Sequence, residues 1–129
     1  MELQIRDHDE PYGRPLSQIL NDLRKPIPAH VIQSRQVGGR RVKYLNLNDT
    51  IAILDQFAPG WEGAVTTIYA AANRVHVSYR LTIHAEEGKF SREATGSEPM
   101  DAAQGDPVAN AEASAFRNAA AKFGLALYL

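Results

Sequence analysis

Three observations predict an α+β fold: a glycine-centred hairpin signal, a long stretch of strict apolar–polar alternation, and a closing alanine-rich segment with helical spacing. They imply a β-hairpin and a three-stranded antiparallel meander, packed against a long C-terminal helix and shorter N-terminal helices, with helices on one face of the sheet. At 129 residues and 44% hydrophobic the chain suits a single core.

Taken in order, residues 1–15 read as a flexible N-terminal arm, since Pro11, Gly13 and Pro15 interrupt any pattern; residues 16–129 form the domain. In PLSQILNDLRKP, Leu16, Ile19, Leu20 and Leu23 recur at helical spacing, Ser17 is available as a cap, and Pro26 stops the run. KPIPAH is an extended connector because its prolines lack the N–H that helix and ladder need. HVIQSRQVGGRRVKYLNL predicts a strand to about Val37, a turn at Gly38-Gly39 and a strand through Leu45. Val42 and Tyr44 share one face of that second strand; Arg41, Lys43 and Leu45 share the other.

NDTIAILDQFAPG predicts a helix capped by Asn46 or Asn48, with a stripe of Leu47, Ile51, Leu54 and Ala58 and a stop at Pro59-Gly60; Trp61 just beyond is expected in the core. The clearest strand is NRVHVSYRLTIHAEEG. There Val75, Val77, Tyr79, Leu81 and Ile83 alternate with His76, Ser78, Arg80, Thr82 and His84. WEGAVTTIYA and KFSREATGS complete the meander, with turns near Ala72-Asn73 and Glu87-Gly88. Residues 97–107 are expected to form a polar loop. Asp106-Pro107 then starts a helix whose stripe is Ala109, Ala113, Phe116, Ala120 and Phe123, and Gly124 ends it. The apolar LALYL beyond it calls for burial or a subunit contact.

The formal net charge is −1, yet its distribution is polarised. Between Asp22 and Asp49 there is no acidic residue, while Arg24, Lys25, Arg35, Arg40, Arg41 and Lys43 all fall there. Such a chain can present a basic surface at near-zero total charge. The absence of cysteine excludes disulfides and thiolate metal sites. No apolar run approaches the ~20 residues of a membrane span, so no membrane partner is expected. With no secretory-type apolar stretch at the start, a cytoplasmic protein in a prokaryote, phage or plasmid setting is expected.

Enzyme readings fare badly, and no cofactor is expected. There is no NTPase-type phosphate loop and no His-Glu-x-x-His. Glu86-Glu87 suggest a hairpin end, and Ser91 and Ser97 lack an evident histidine partner. Glu93, Glu98 and Asp101 are the only conceivable carboxylate set for a metal-dependent nuclease. His76 and His84 lie about 27 Å apart along one strand, too far for one metal.

Several short motifs, in order and spacing, resemble the Rad-fifty-two-type single-strand annealing proteins: VIQSRQVGGRRVKYLNL, ILDQFAPGWEGAV and the closing AEASAFRNAAAKFGLALYL. The likeness covers roughly residues 16–129. It implies a protein that assembles into rings or arcs, binds single-stranded DNA in a groove at the rim, and anneals complementary strands without ATP or covalent chemistry. A single-strand-binding protein is a possible further partner. By the same resemblance Arg35 matches an arginine of the groove, Tyr44 the aromatic after the glycine turn, and Arg117 the first cation of a basic pair on the closing helix. The second member of that pair is Asn118 here, the next basic position is Ala121, and the preceding loop carries Glu98, Asp101 and Asp106 where lysines are usual. A second, outer DNA site is therefore doubtful.

Physically, single strands are held by cations tracking phosphates and planar groups stacking on bases. Arg35, Arg40, Arg41 and Lys43 on the hairpin, with Arg117 and Lys122 from a facing helix, would wall such a groove, and Tyr44 would either stack or pack in the core. Arg74, Arg80, Lys89 and Arg92 are weaker candidates for DNA or subunit contact. Charge alone leaves open a merely solvated surface, or a small α+β interaction module whose basic hairpin contacts an acidic protein.

Overall fold

The computed structural model describes residues 13–101, 105–127 and 129; of the arm expected over residues 1–15, residues 1–12 lie outside them. The element order is α1 (Leu16–Leu23), a 3-10 turn (Ala29–Val31), β1 (Ile32–Val37), β2 (Arg40–Leu45), α2 (Leu47–Phe57), β3 (Glu62–Ala71), β4 (Arg74–Ala85), β5 (Gly88–Pro99) and α3 (Pro107–Lys122). β1 and β2 form a two-stranded antiparallel sheet; β3, β4 and β5 form a second antiparallel sheet in sequence order. The α+β architecture is the predicted one.

The hairpin turn is two residues long because Gly38 and Gly39 both take positive φ, +57° and +79°. That is the geometry whose twist matches the flanking strands. The β3–β4 turn achieves the same with Ala72 and Asn73 at +53° and +60°, without glycine. The β4–β5 turn falls on Glu86-Glu87, and β5 runs on to Pro99, three residues into the segment expected to be loop.

α2 begins where Asn46 accepts from the Asp49 N–H at 2.8 Å, which settles the choice of cap. α1 uses a different device from the expected Ser17 cap. Pro15 precedes it without a side-chain cap, and the Leu16 N–H instead donates to Glu87 Oε1 of the β4–β5 turn at 2.9 Å. The same turn receives the chain just before: the Glu86 N–H donates to the Arg14 carbonyl. Arg14 in turn donates to the Phe57 carbonyl and pairs with Asp22, so packed structure extends back to Arg14.

The core is built from Ile19 and Leu23 of α1, Leu54 of α2, Leu81 and Ile83 of β4, and Phe116, Ala119, Ala120 and Phe123 at the end of the chain. Val75 and Val77 pack with Ala111 and Ala115 in a second cluster. The buried stripe of α3 is therefore Ala111, Ala115, Phe116, Ala119 and Ala120, rotated from the predicted one. Gly96 on β5 explains the rotation. A Cβ there would stand 2.5 Å from Ala115 N and 2.6 Å from Ala111 O, so the helix backbone lies directly on the strand at the glycine. Ala109 and Ala113 are left lining an open cleft with Trp61, which is half-buried and donates its indole N–H to Asp55. Gly124 (φ +103°) turns the chain after α3. Beyond it Leu125 is buried, while Leu127 and Leu129 remain exposed.

Candidate nucleic-acid interface

The register of the hairpin decides which cations act together. Arg35 pairs with Val42, Gln33 with Tyr44 and Val37 with Arg40. Paired residues and their i±2 neighbours share a face, so Arg35, Arg40 and Tyr44 lie on one side of the ribbon, and Arg41 and Lys43 on the other. Arg41 is partly committed there, donating to Ser34 Oγ at 2.9 Å.

Tyr44 is the centre of the first face. The guanidinium carbon of Arg35 lies 5.5 Å from its ring centroid, and that of Arg117, arriving from α3, also lies 5.5 Å away. Both distances are within the range of cation–π attraction. Among the described residues neither arginine has a hydrogen-bonding or ion-pairing partner. Arg117 is partly buried, and its pKa is lowered first by that burial and then by the like charge of Arg35; Tyr44 and Glu98 act in the opposite direction. A guanidinium stays charged through such shifts. Two cations thus share one aromatic ring, and an anion between them would relieve both burial and mutual repulsion.

Lys43 reaches the same region from the other side of the ribbon. Together with Tyr44, Arg117, Asn118 and Thr50 it lines a cleft of about 250 Å³ closed by Leu45, Ala121 and the end of the chain, and no described lining residue is acidic.

The remaining cations are placed elsewhere. Lys122 is five residues from Arg117, about 140° around the helix, and donates to the Glu93 carbonyl at 2.7 Å. Arg92 donates to the Lys122 carbonyl and lies 4.7 Å from the Phe123 ring, so it fastens the end of α3 to β5. Arg74 donates to Ser97 Oγ at 2.9 Å. Arg80 and Lys89 are exposed on the sheet face away from α3, in register with Glu93 and His84. On that face Tyr69 stacks on His76, with ring centroids 4.8 Å apart. His84 is occupied by Glu62. Among the described residues no group of three His, Asp or Glu side chains is disposed to hold a metal, and no helix is long and apolar enough to cross a membrane.

Glu98 is the acidic group that motif spacing left in the α3-leading loop; its place on β5 within electrostatic reach of Arg117 follows only from the strand's extra length. The Arg14–Asp22 pair gave no sequence signal, because pairing across a helix start has no fixed spacing.

No family model matches the chain. It is, however, 40% identical over 120 residues to the mitochondrial DNA repair RAD52-like protein 1 of Arabidopsis thaliana, across 91% of this chain and 68% of that protein. The chain belongs to the RAD52-like family. It is also 39% identical over 121 residues to the chloroplastic DNA repair RAD52-like protein 2 of the same plant, across 90% of this chain and 61% of that protein. The chain thus spans about two thirds of the length of these RAD52-like relatives.

These relatives correct one expectation. A cytoplasmic protein of prokaryotic, phage or plasmid setting was expected, whereas both relatives are organellar plant proteins, one mitochondrial and one chloroplastic, which overturns that expectation. The expectation failed because absent cysteine and a charged first segment do not distinguish a cytoplasm from an organelle interior.

Proposed function

We propose that this RAD52-like chain binds single-stranded DNA and pairs complementary strands without ATP, in recombination or repair, as a ring- or arc-shaped oligomer. The observation that carries this is the Arg35–Tyr44–Arg117 cluster: two guanidiniums on one ring, both without an ion-pair partner among the described residues. Phosphates are the anions that such a pair takes. Arg40 extends the cationic face, Lys43 enters the adjoining cleft, and Tyr44 offers a surface for a base or sugar. Arg41 contributes from the other side of the ribbon. Lys122, Arg74 and Arg92 act chiefly in holding the fold, while Arg80 and Lys89 remain secondary contacts.

Annealing needs a strand held by its backbone with base edges left readable, and a cation pair without acceptors for base recognition suits that task. No bond is made or broken, so the protein acts without catalytic residues or a cofactor. Several copies side by side would hold longer strands, and a single-strand-binding protein is the expected source of the strand.

The test is the pairing rate of two labelled complementary oligonucleotides without nucleotide. Wild-type protein should accelerate pairing, high salt should suppress the effect, and Arg35→Ala and Arg117→Ala should abolish it while melting temperature holds. A folded wild-type protein that leaves the rate unchanged would remove the proposal.

A further inference from the structure

The two sheets leave their strands in different company. The outer edge of β5 is covered: Asn118 Nδ2 donates to the Thr95 carbonyl at 2.8 Å and Lys122 Nζ to the Glu93 carbonyl at 2.7 Å, so α3 lies along that edge. The ribbon of β1 and β2 has no third strand, and every residue from Gln33 to Arg41 is exposed. One aliphatic hydroxyl stands in it, that of Ser34.

Ser34 lies on the ribbon's second face, with Gln36, Arg41 and Lys43. Arg41 donates to Ser34 Oγ at 2.9 Å, its one hydrogen bond among the described residues, which leaves most of the guanidinium donors unused. Lys43 stands directly opposite Ser34 in the register, where Cβ atoms are about 4.5–5.5 Å apart, and it has no hydrogen-bond or ion-pair partner among the described residues. No acidic residue of either strand competes for these two cations. Two comparisons show what is particular to this hydroxyl. Ser97 also accepts from an arginine, Arg74, but it is half-buried and followed by Glu98. Ser91 is exposed, but its Oγ is paired with the Thr82 hydroxyl at 2.7 Å. Only at Ser34 do exposure and two unneutralised cations coincide.

We infer that Ser34 is a phosphorylation site, whose phosphate is gripped by Arg41 and Lys43 and so withdraws both cations from DNA. In the modification, Ser34 Oγ attacks the γ-phosphorus of a nucleoside triphosphate held by a serine/threonine kinase. The bond from that phosphorus to the diphosphate breaks, the hydroxyl proton passes to a base of the kinase, and the nucleoside diphosphate leaves. The product carries a charge of about −1.5 to −2 at neutral pH and three acceptor oxygens, which suit a guanidinium fork and an ammonium on either side. Arg35 and Arg40 lie on the opposite face of the ribbon and stay available, so DNA binding is weakened and not abolished. This effect on DNA rests on the single-strand binding proposed above, whereas the seat for the phosphate does not.

The test begins with the folded protein, ATP and a serine/threonine kinase selective for basic substrates: peptide mapping by mass spectrometry should find phosphate on Ser34. Protein carrying phosphoserine at position 34 then gives two readouts. By phosphorus NMR its second pKa should fall below the ordinary value of about 6, since both neighbours favour the dianion, and should return toward it in Arg41→Ala. By fluorescence anisotropy at 0.1 M salt it should bind oligothymidine at least about tenfold more weakly than unmodified protein, with a log–log salt slope shallower by about 1.4 for two lost phosphate contacts. Ser34→Ala should bind as wild type, and melting temperatures should hold throughout, because the site is exposed. Folded protein left unmodified at Ser34, or a phosphate whose pKa is ordinary and indifferent to Arg41→Ala, overturns the inference. Equal binding by phosphorylated and unmodified protein overturns the effect on DNA. A wild-type protein that binds no oligothymidine removes the reading on which that effect rests, and the phosphorus titration still decides the seat.

Discussion

At Arg117 burial and the like charge of Arg35 both disfavour the cation, and Glu98 favours it. In the proposed function, an incoming phosphate would replace a weak acidic influence with a direct charge-assisted hydrogen bond. Removal of Glu98 therefore has a definite sign: Glu98→Gln should tighten binding of oligothymidine severalfold and carry binding to higher salt, measured by fluorescence anisotropy. Tyr44→Ala should weaken the same binding by about 1–3 kcal/mol if the ring stacks on a base, whereas Tyr44→Phe should retain nearly all of it. At this scale the sequence was partly legible. A run of 26 residues without an acid, from Leu23 to Asn48, marked the hairpin as basic, and Arg35, Tyr44 and Arg117 were singled out through motif resemblance. That Arg35 and Arg117 meet on one ring was not legible, because it depends on how far α3 is rotated over the sheet.

The rotation belongs to the element scale, where Gly96 sets it. Gly96→Ala should cost about 1–3 kcal/mol in urea unfolding, since its methyl group meets helix backbone that cannot swing aside. The same substitution should disturb the Arg117–Tyr44 contact and so weaken DNA binding as well. Helical periodicity alone favoured Ala109, Ala113 and Phe116; it could not reveal a close approach created by a glycine on another element. The start of α1 was missed for a similar reason, as its acceptor, Glu87, lies 71 residues away.

The Arg14–Asp22 pair, also at this scale, carries a pH signature. Hydrogen bonds from Arg14, then from Lys25, hold the Asp22 carboxyl below its usual value against a smaller effect of burial. A lowered folded-state value means that the stabilisation is fully present above the unfolded value of about 3.9 and is lost as pH falls through the folded value. Asp22→Asn should therefore lower the urea midpoint at pH 7 and flatten its decline between about pH 4 and pH 2.

On the scale of the whole molecule, a chain of net charge −1 still gathers a local excess of cations: the hairpin carries Arg35, Arg40, Arg41 and Lys43 without an acid, and Arg117 joins them from α3. The α+β order was legible because turns and alternation are local signals, and the hairpin boundaries at Val37 and Leu45 follow from two adjacent glycines. Which face of α3 is buried, which strand edge is covered and which compartment the protein serves are set by long-range packing or lie outside the chemistry of the chain. The central claim, that Arg35 and Arg117 hold the phosphates of a single strand, is tested most directly by the salt dependence of oligothymidine binding. Fluorescence anisotropy on wild type, Arg35→Ala and Arg117→Ala should give a steep log–log slope for wild type, shallower in each variant by about 0.7 for every phosphate it no longer neutralises. Slopes equal in all three folded proteins would place the phosphates elsewhere and contradict the claim.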